Sequence, residues 1–263
     1  MAADRSRAVL LSGSVHPALA DNTHRPWPLP RGPWVMTMDW VDLLFLHWPI
    51  DVAMLRPHVP EELEIETFDG RAWIGVVPFR MARTRARFAP PVPTTSDFLE
   101  LNVRTYVRAA GRSGVWFTSL DAASRLAVFG ARVSFGLPYF AARMNANVDG
   151  DRIHYRSERR DRRGPPAEFA ARWERPRSFA ASRAGTFEHF LTERYCLYAK
   201  RRGHLVCGEI AHPPWLLAKV AVAIERLDMT RLLGMDLDGA PASVLAAAPQ
   251  RVVAWAPHRW PRT

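Results

Sequence analysis

The chain has 263 residues, of which 48% are hydrophobic and 24% charged, a composition that fits a folded, soluble core and excludes a disordered, collagen-like or coiled-coil chain. No run of about 18 uninterrupted apolar residues is present, so no membrane-spanning helix is expected. The formal charge of +10 comes almost entirely from arginine: Lys200 and Lys219 are the only lysines among 36 basic residues, and the arginines are scattered rather than striped, so a nucleic-acid surface is not indicated. Two cysteines fit neither a disulfide framework nor a zinc site, which points to a reducing cytoplasm.

Residues 1–24 read as a flexible extension. Ala18-Leu19-Ala20 imitates a signal-cleavage site, but Ser12, Gly13, Ser14, His16 and Pro17 break the apolar stretch before it. Residues 25–263 carry no repeat or linker and read as one domain. The 22 prolines of the chain favour short elements. Residues 72–79 (AWIGVVPF) follow the turn pair Asp69-Gly70 and read as a strand. Residues 98–108 (FLELNVRTYVR) are the clearest period-two segment, with Leu99, Leu101, Val103, Thr105 and Val107 on one face. Residues 115–120 read as a further strand. Asp121 is then placed as the N-cap of a helix to about residue 129, with Leu126 and Phe129 on its inner side.

The pair Asp149-Gly150 between alternating segments predicts a hairpin of residues 139–148 and 152–159. Thr186 caps a short helix over 187–193. A second hairpin, 195–200 with 204–210, turns at Arg201-Arg202-Gly203 and places Cys196 and Cys207 near each other as buried thiols. Pro213-Pro214 breaks the chain before the apolar run 215–224, and residues 251–255 close it as a strand. Many strands with two or three short helices define an α+β, mostly antiparallel β fold, a large curved sheet or barrel.

The polar face of strand 98–108 aligns Glu100, Asn102 and Arg104 at i, i+2, i+4, roughly 6.6 Å apart in sequence order. An acid, an amide and a guanidinium in a row suit either a polar cavity within the sheet or an ordinary solvent-facing surface. Common catalytic signatures are missing: there is no nucleophile elbow, phosphate loop, dinucleotide fingerprint or paired-histidine metal motif, so no metal or cofactor is expected. His47, within LLFLHW, reads as a core histidine. The run Arg156, Arg159, Arg160, Arg162 and Arg163 reads as a solvated strand end and loop.

The stretches HRPWPLP (24–30), DWVDLLFLHWPI (39–50), LRPHVPEELEIETFDGRAWIGVVPFRM (55–81) and FLELNVRTYV (98–107) resemble the YqjF-like family of bacterial proteins. So do GVWFTSLDA (114–122), FGLPYFAARM (135–144), FLTERYCLYA (190–199) and HPPW (212–215), all in the family's order. The resemblance implies the acetoacetate-decarboxylase-like fold, an antiparallel β structure around a polar cavity. In the decarboxylases of that fold a lysine forms an imine with the substrate. Their motif, Gly-Arg-Glu, a spacer and Phe-Pro-Lys-Lys, is matched here by Gly130-Ala131-Arg132 through Leu137-Pro138-Tyr139-Phe140. Arg132 and Pro138 match, Tyr139 and Phe140 replace the lysine pair, and Glu100 falls where the decarboxylases place a cavity glutamate.

Tyrosine forms no imine, so the resemblance carries a cavity but not Schiff-base decarboxylation, unless Lys200 or Lys219 reaches the site from another strand. Three functional expectations follow. The first is a protein binding a small acidic or carbonyl-bearing molecule, with Glu100 and Tyr139 as acid–base groups and Asn102, Arg104, Arg132 and His212 as ligand-binding groups; a lyase- or hydrolase-like reaction would be built on these, but the residues name none. The second is a non-catalytic interaction module using arginine-rich surface. The third is the lysine-dependent reaction. No membrane partner is expected, and a free sheet edge would pair with a second copy of the chain.

Overall fold

The computed structural model describes residues 15–261. The strands are β1 (Met36–Val41), β2 (Leu44–Ile50), β3 (Glu64–Ile65), β4 (Ala72–Ala86), β5 (Phe98–Ala109), β6 (Arg112–Ala122), β7 (Tyr139–Asp149), β8 (Arg152–Arg159) and β9 (Glu168–Glu174). They continue as β10 (Ala180–Ala181), β11 (Cys196–Arg201), β12 (His204–Ala211), β13 (Leu216–Lys219), β14 (Val222–Leu227), β15 (Ser243–Ala247), β16 (Gln250–Ala254) and β17 (His258–Arg259). Among the described residues four short α-helices accompany them: α1 (Pro17–Ala20), α2 (Val52–Leu55), α3 (Arg125–Phe135) and α4 (Phe187–Thr192). None of the described helices is long and apolar enough to cross a membrane.

The strand pairings return to their starting point. β1 pairs with β4, β4 with β5, β5 with β6, β6 with β11, β11 with β12, β12 with β16, and β16 again with β1. Most are antiparallel as the sequence predicts. The exceptions are β6–β11 and β6–β7, which run parallel. Parallel neighbours need long crossovers, and α3 and α4 lie within the two connections that supply them. β7, β8, β9 and β14 form a second antiparallel layer reached through β6–β7.

Alternation along β4 and β5 separates two interiors. Ile74, Val76, Leu101 and Val103 point outward and pack with Ile153, Tyr155, Phe169 and Trp173 of the second layer. Val77, Phe79 and Met81 point inward, where they meet Met38, Phe45 and Trp215. Each large apolar side chain so buried contributes about 1.5–3 kcal/mol, which fixes the register, since a one-residue slip would exchange the two faces. β5 is therefore covered on both sides, and Glu100, Asn102 and Arg104 face the interior rather than solvent.

Both predicted hairpins form, with Asp149↔Arg152 and Arg201↔His204 closing them, and Thr186 caps α4 through its side chain. Three expectations are corrected. Asp121 is not a helix cap: β6 continues through it, and its carboxylate is held by Arg159. Ser124 caps α3 instead, and this later start turns Val128 inward and leaves Leu126 and Phe129 exposed by 62% and 69%. The basic run is not wholly solvated, because Arg159 is buried while Arg160 and Arg163 pair with Glu158 and Asp161.

The third correction concerns the amino-terminal segment. Residues 1–14 lie outside the described residues, but α1 packs Ala18 against Ala211, Val253 and Trp255, and the His24 ring lies 2.9 Å from the His212 carbonyl. Residues 17–24 thus belong to the packed structure. At the far end of α3, Gly136 takes the left-handed conformation, φ 70°, and its N–H bonds the Arg132 carbonyl. That cap stops the helix and aims Pro138 and Tyr139 into β7.

Candidate functional site

The inward faces of these strands, together with Ala131 and Phe135 of α3, enclose a cavity of about 150 Å³. Its wall is mainly apolar and aromatic. Trp40 of β1 stacks on Trp215, with ring centres 5.8 Å apart and planes at 11°, and behind the wall Phe45 meets Trp215 edge-on at 5.1 Å. Into this wall β5 delivers Glu100, Asn102 and Arg104, β7 delivers Tyr139, and the segment after β12 delivers His212.

Glu100 is 2% exposed, and its Oε2 accepts a hydrogen bond from the Tyr139 hydroxyl at 2.9 Å. Tyr155 reaches from the second layer to place its hydroxyl 2.7 Å from the Glu100 carbonyl, which fixes the backbone beneath the carboxyl. Burial pushes the Glu100 carboxyl up to about 8; the Tyr139 bond lowers it in part, and nearby Asp121 raises it further. Glu100 is therefore a neutral acid at pH 7. Burial, followed by the proximity of Glu100, raises Tyr139 well above the usual phenol range. The pair holds protons that a bound oxygen acceptor would share.

Arg104 differs from the other buried arginines. Arg194, also in the cavity wall, pairs with Glu66, and Glu66 is shared with Arg108 at 2.7 Å. Arg159 pairs with Asp121. Among the described residues Arg104 has no carboxylate partner. Its Nη2 donates to the Leu191 carbonyl at 3.2 Å, its guanidinium lies 5.0 Å over the Phe45 ring, and its Nε has no partner. The guanidinium is thus half-buried, with spare donors and no counter-charge. Beside it, the Asn102 Oδ1 is buried without a partner, as are the indole N–H groups of Trp40 and Trp215.

His212 lines the cavity, but its ring nitrogens lie 2.7 Å and 3.3 Å from the carbonyls of Pro213 and Arg194. Burial lowers its pKa, against the raising effect of Glu193 and of the two carbonyls, and the ring stacks on Tyr195 at 4.7 Å. His47 is, as expected, a core residue: its Nε2 lies 2.6 Å from the Tyr106 hydroxyl, and burial holds it well below the usual imidazole range. Gly75 makes room for that ring, since a Cβ there would lie 3.1 Å from the His47 Nε2.

Arg132 stands apart from its predicted partners. It is half-buried on α3 outside the cavity wall, and its Nη1 donates to the Tyr139 carbonyl at 2.7 Å. It positions Tyr139 rather than touching the cavity. Arg132→Met is expected to cost about 1 kcal/mol, the worth of one such bond, and to melt a few degrees lower in a thermal scan. A loss no larger than that of an exposed arginine substitution elsewhere on the surface would remove this role.

The lysine alternative is excluded by placement. Lys200 pairs with Glu62 and Lys219 with Glu188, both toward solvent, and neither lines the cavity. No cluster of three or more metal-binding side chains occurs among the described residues. Trp40, Trp215 and Arg194 are parts of the wall that sequence reasoning does not single out, although the last two lie within the family-like stretches HPPW (212–215) and FLTERYCLYA (190–199). Glu193 explains the link: its carboxylate accepts from the Trp215 backbone N–H at 2.9 Å and from the Tyr195 hydroxyl.

The fold and the lysine-free cavity define an acetoacetate-decarboxylase-like protein in architecture. Acetoacetate decarboxylase from Legionella pneumophila superposes with a TM-score of 0.59 at 12% identity, covering 94% of this chain and 98% of that one. The enduracididine biosynthesis enzyme MppR, in its complex with pyruvate, gives 0.58 at 14% identity over 93% and 97%. At these identities the likeness is one of fold. The chain belongs to the DUF2071 family, described as an uncharacterised conserved protein, whose profile matches residues 37–254. It is 42% identical over 234 residues to the uncharacterised protein YqjF of Bacillus subtilis (strain 168), covering 88% of this chain and 95% of that one.

Proposed function

We propose that this protein binds a small carboxylate- or carbonyl-bearing organic molecule inside the β-barrel that the closed strand circuit forms, without imine chemistry. The observation that carries this reading is the pairing, within one apolar cavity, of an uncompensated Arg104 with the neutral acid Glu100. The cation supplies an anchor for a carboxylate, and the Glu100–Tyr139 pair supplies proton donors for a carbonyl or hydroxyl oxygen. Any reaction at this site would use Glu100 as the group that gives and retrieves a proton. Support for an occupant of this kind also comes from the fold relatives, one of which was solved with pyruvate. Both cysteines are free thiols, which accords with work in the cytoplasm.

A reading as an arginine-based interaction module is supported less well, since Arg159, Arg160 and Arg163 already have carboxylate partners. A thermal-shift screen of organic acids, their esters and ketones tests the proposal. Ligand at one hundred times its dissociation constant adds about 2.7 kcal/mol and raises the melting temperature accordingly. Acids are expected to stabilise the parent and Arg132→Met, but not Arg104→Met. Absence of any shift, or shifts retained in Arg104→Met, would refute the assignment.

A further inference from the structure

We infer that the cavity takes a single-ring aromatic carboxylic acid carrying a hydroxyl or amino group opposite its carboxylate. The inference rests on the binding reading above and narrows it. Volume sets the first limit: about 150 Å³ is the size of an apolar cavity that accepts one benzene ring. The wall sets the second. The parallel Trp40 and Trp215 rings and the Phe79, Phe117 and Phe135 side chains present π surfaces, and Met38 and Met81 place polarisable side chains in the same wall. Aromatic groups gain offset or edge contacts in such a setting beyond simple area burial, and sulfur adds to them.

Polar spacing sets the third limit. Arg104 and Asn102 lie two residues apart on the inward face of β5, roughly 6.6 Å along the strand. The guanidinium and the amide therefore open on the same cavity at separate points, which suits a ligand with polar groups at its two ends. Arg104 has no counter-charge, and the Asn102 Oδ1 has no donor. A ring acid with a hydroxyl or amino group at the far position satisfies both at once, whereas a short aliphatic acid reaches only one. A buried acceptor left without a partner favours the ligand that supplies the donor.

Calorimetric titration of the intact protein with 4-hydroxybenzoate, benzoate, cyclohexanecarboxylate, methyl 4-hydroxybenzoate and acetoacetate tests this. The expected order places 4-hydroxybenzoate at least tenfold tighter than benzoate or the saturated-ring acid, with the ester weakened at least tenfold. Asn102→Leu is expected to erase the preference over benzoate, and Arg104→Lys to weaken every acid while the protein stays folded. The comparisons among ligands need no variant, so an unstable variant leaves the test intact. Acetoacetate binding as tightly as 4-hydroxybenzoate, or equal binding of the flat and saturated rings, would overturn the aromatic assignment while leaving the binding reading in place. No binding by any of the five would overturn both.

Discussion

Arg159→Met is expected to lower the melting temperature by about 10 °C, the largest effect of any single substitution considered. The Arg159 Nε and Nη2 donate to the two Asp121 oxygens at 2.7 Å and 2.6 Å, and both side chains are fully buried. The guanidinium also lies 4.3 Å over the Phe140 ring. Arg159 belongs to the second layer and Asp121 to the closed strand circuit, so the pair pins one onto the other. Removing one partner of such a pair strands a charge and costs about 3–5 kcal/mol. At about 2–4 °C per kcal/mol for a domain of this size, that is a shift of roughly 10 °C. Asp121→Leu combined with Arg159→Met leaves no orphaned charge and is expected to recover much of the loss. A double variant less stable than either single one would contradict this account of the pair.

Glu100→Gln is expected to stabilise the protein at high pH and to leave it unchanged near pH 5. In the unfolded chain this carboxyl ionises near 4.5, whereas in the folded protein it does so near 8. Between those values the folded state holds the extra proton, so the stability of the parent falls as pH rises across that window and levels off above it. Integrated over the window, the parent loses on the order of 4 kcal/mol that the glutamine variant keeps. Glutamine still offers an oxygen to the Tyr139 hydroxyl, so packing is preserved. Urea unfolding of both proteins from pH 5 to pH 9 measures the difference directly. A difference that stays flat with pH would mean that Glu100 is ionised in the folded state and is no proton donor.

The two faces of β5 were legible in the sequence because alternation is a local property of a strand. Leu101 and Val103 against Glu100 and Asn102 needed no knowledge of neighbours. Whether the polar face met solvent or a cavity was not local, and only the family resemblance tipped it inward. The parallel pairing of β6 with β7 and β11 was hidden for the same reason, since nothing within residues 112–122 specifies partners so distant in the chain. The helix start illustrates competition between two local signals: Asp121 and Ser124 are both good caps, and a long-range partner, Arg159, removed the first.

The assignment of anion anchors shows the same limit. Arg104 and Arg132 are equivalent as letters. What separates them is that one meets the Tyr139 carbonyl outside the cavity and the other faces the interior without a carboxylate. Arg194 would be a third candidate, but Glu66, 128 residues away, neutralises it. Charge compensation is a property of the folded ensemble of side chains, and a pattern of arginines along a chain does not carry it.

A crystal structure of the protein with the acid that most raises its melting temperature tests the central claim most directly. The ligand is expected in the cavity lined by β1 and β5, its carboxylate on Arg104 and its far end toward Asn102 and the Glu100–Tyr139 pair. The same acid bound only among the exposed arginines, with Trp40, Trp215 and Arg104 untouched, would contradict it.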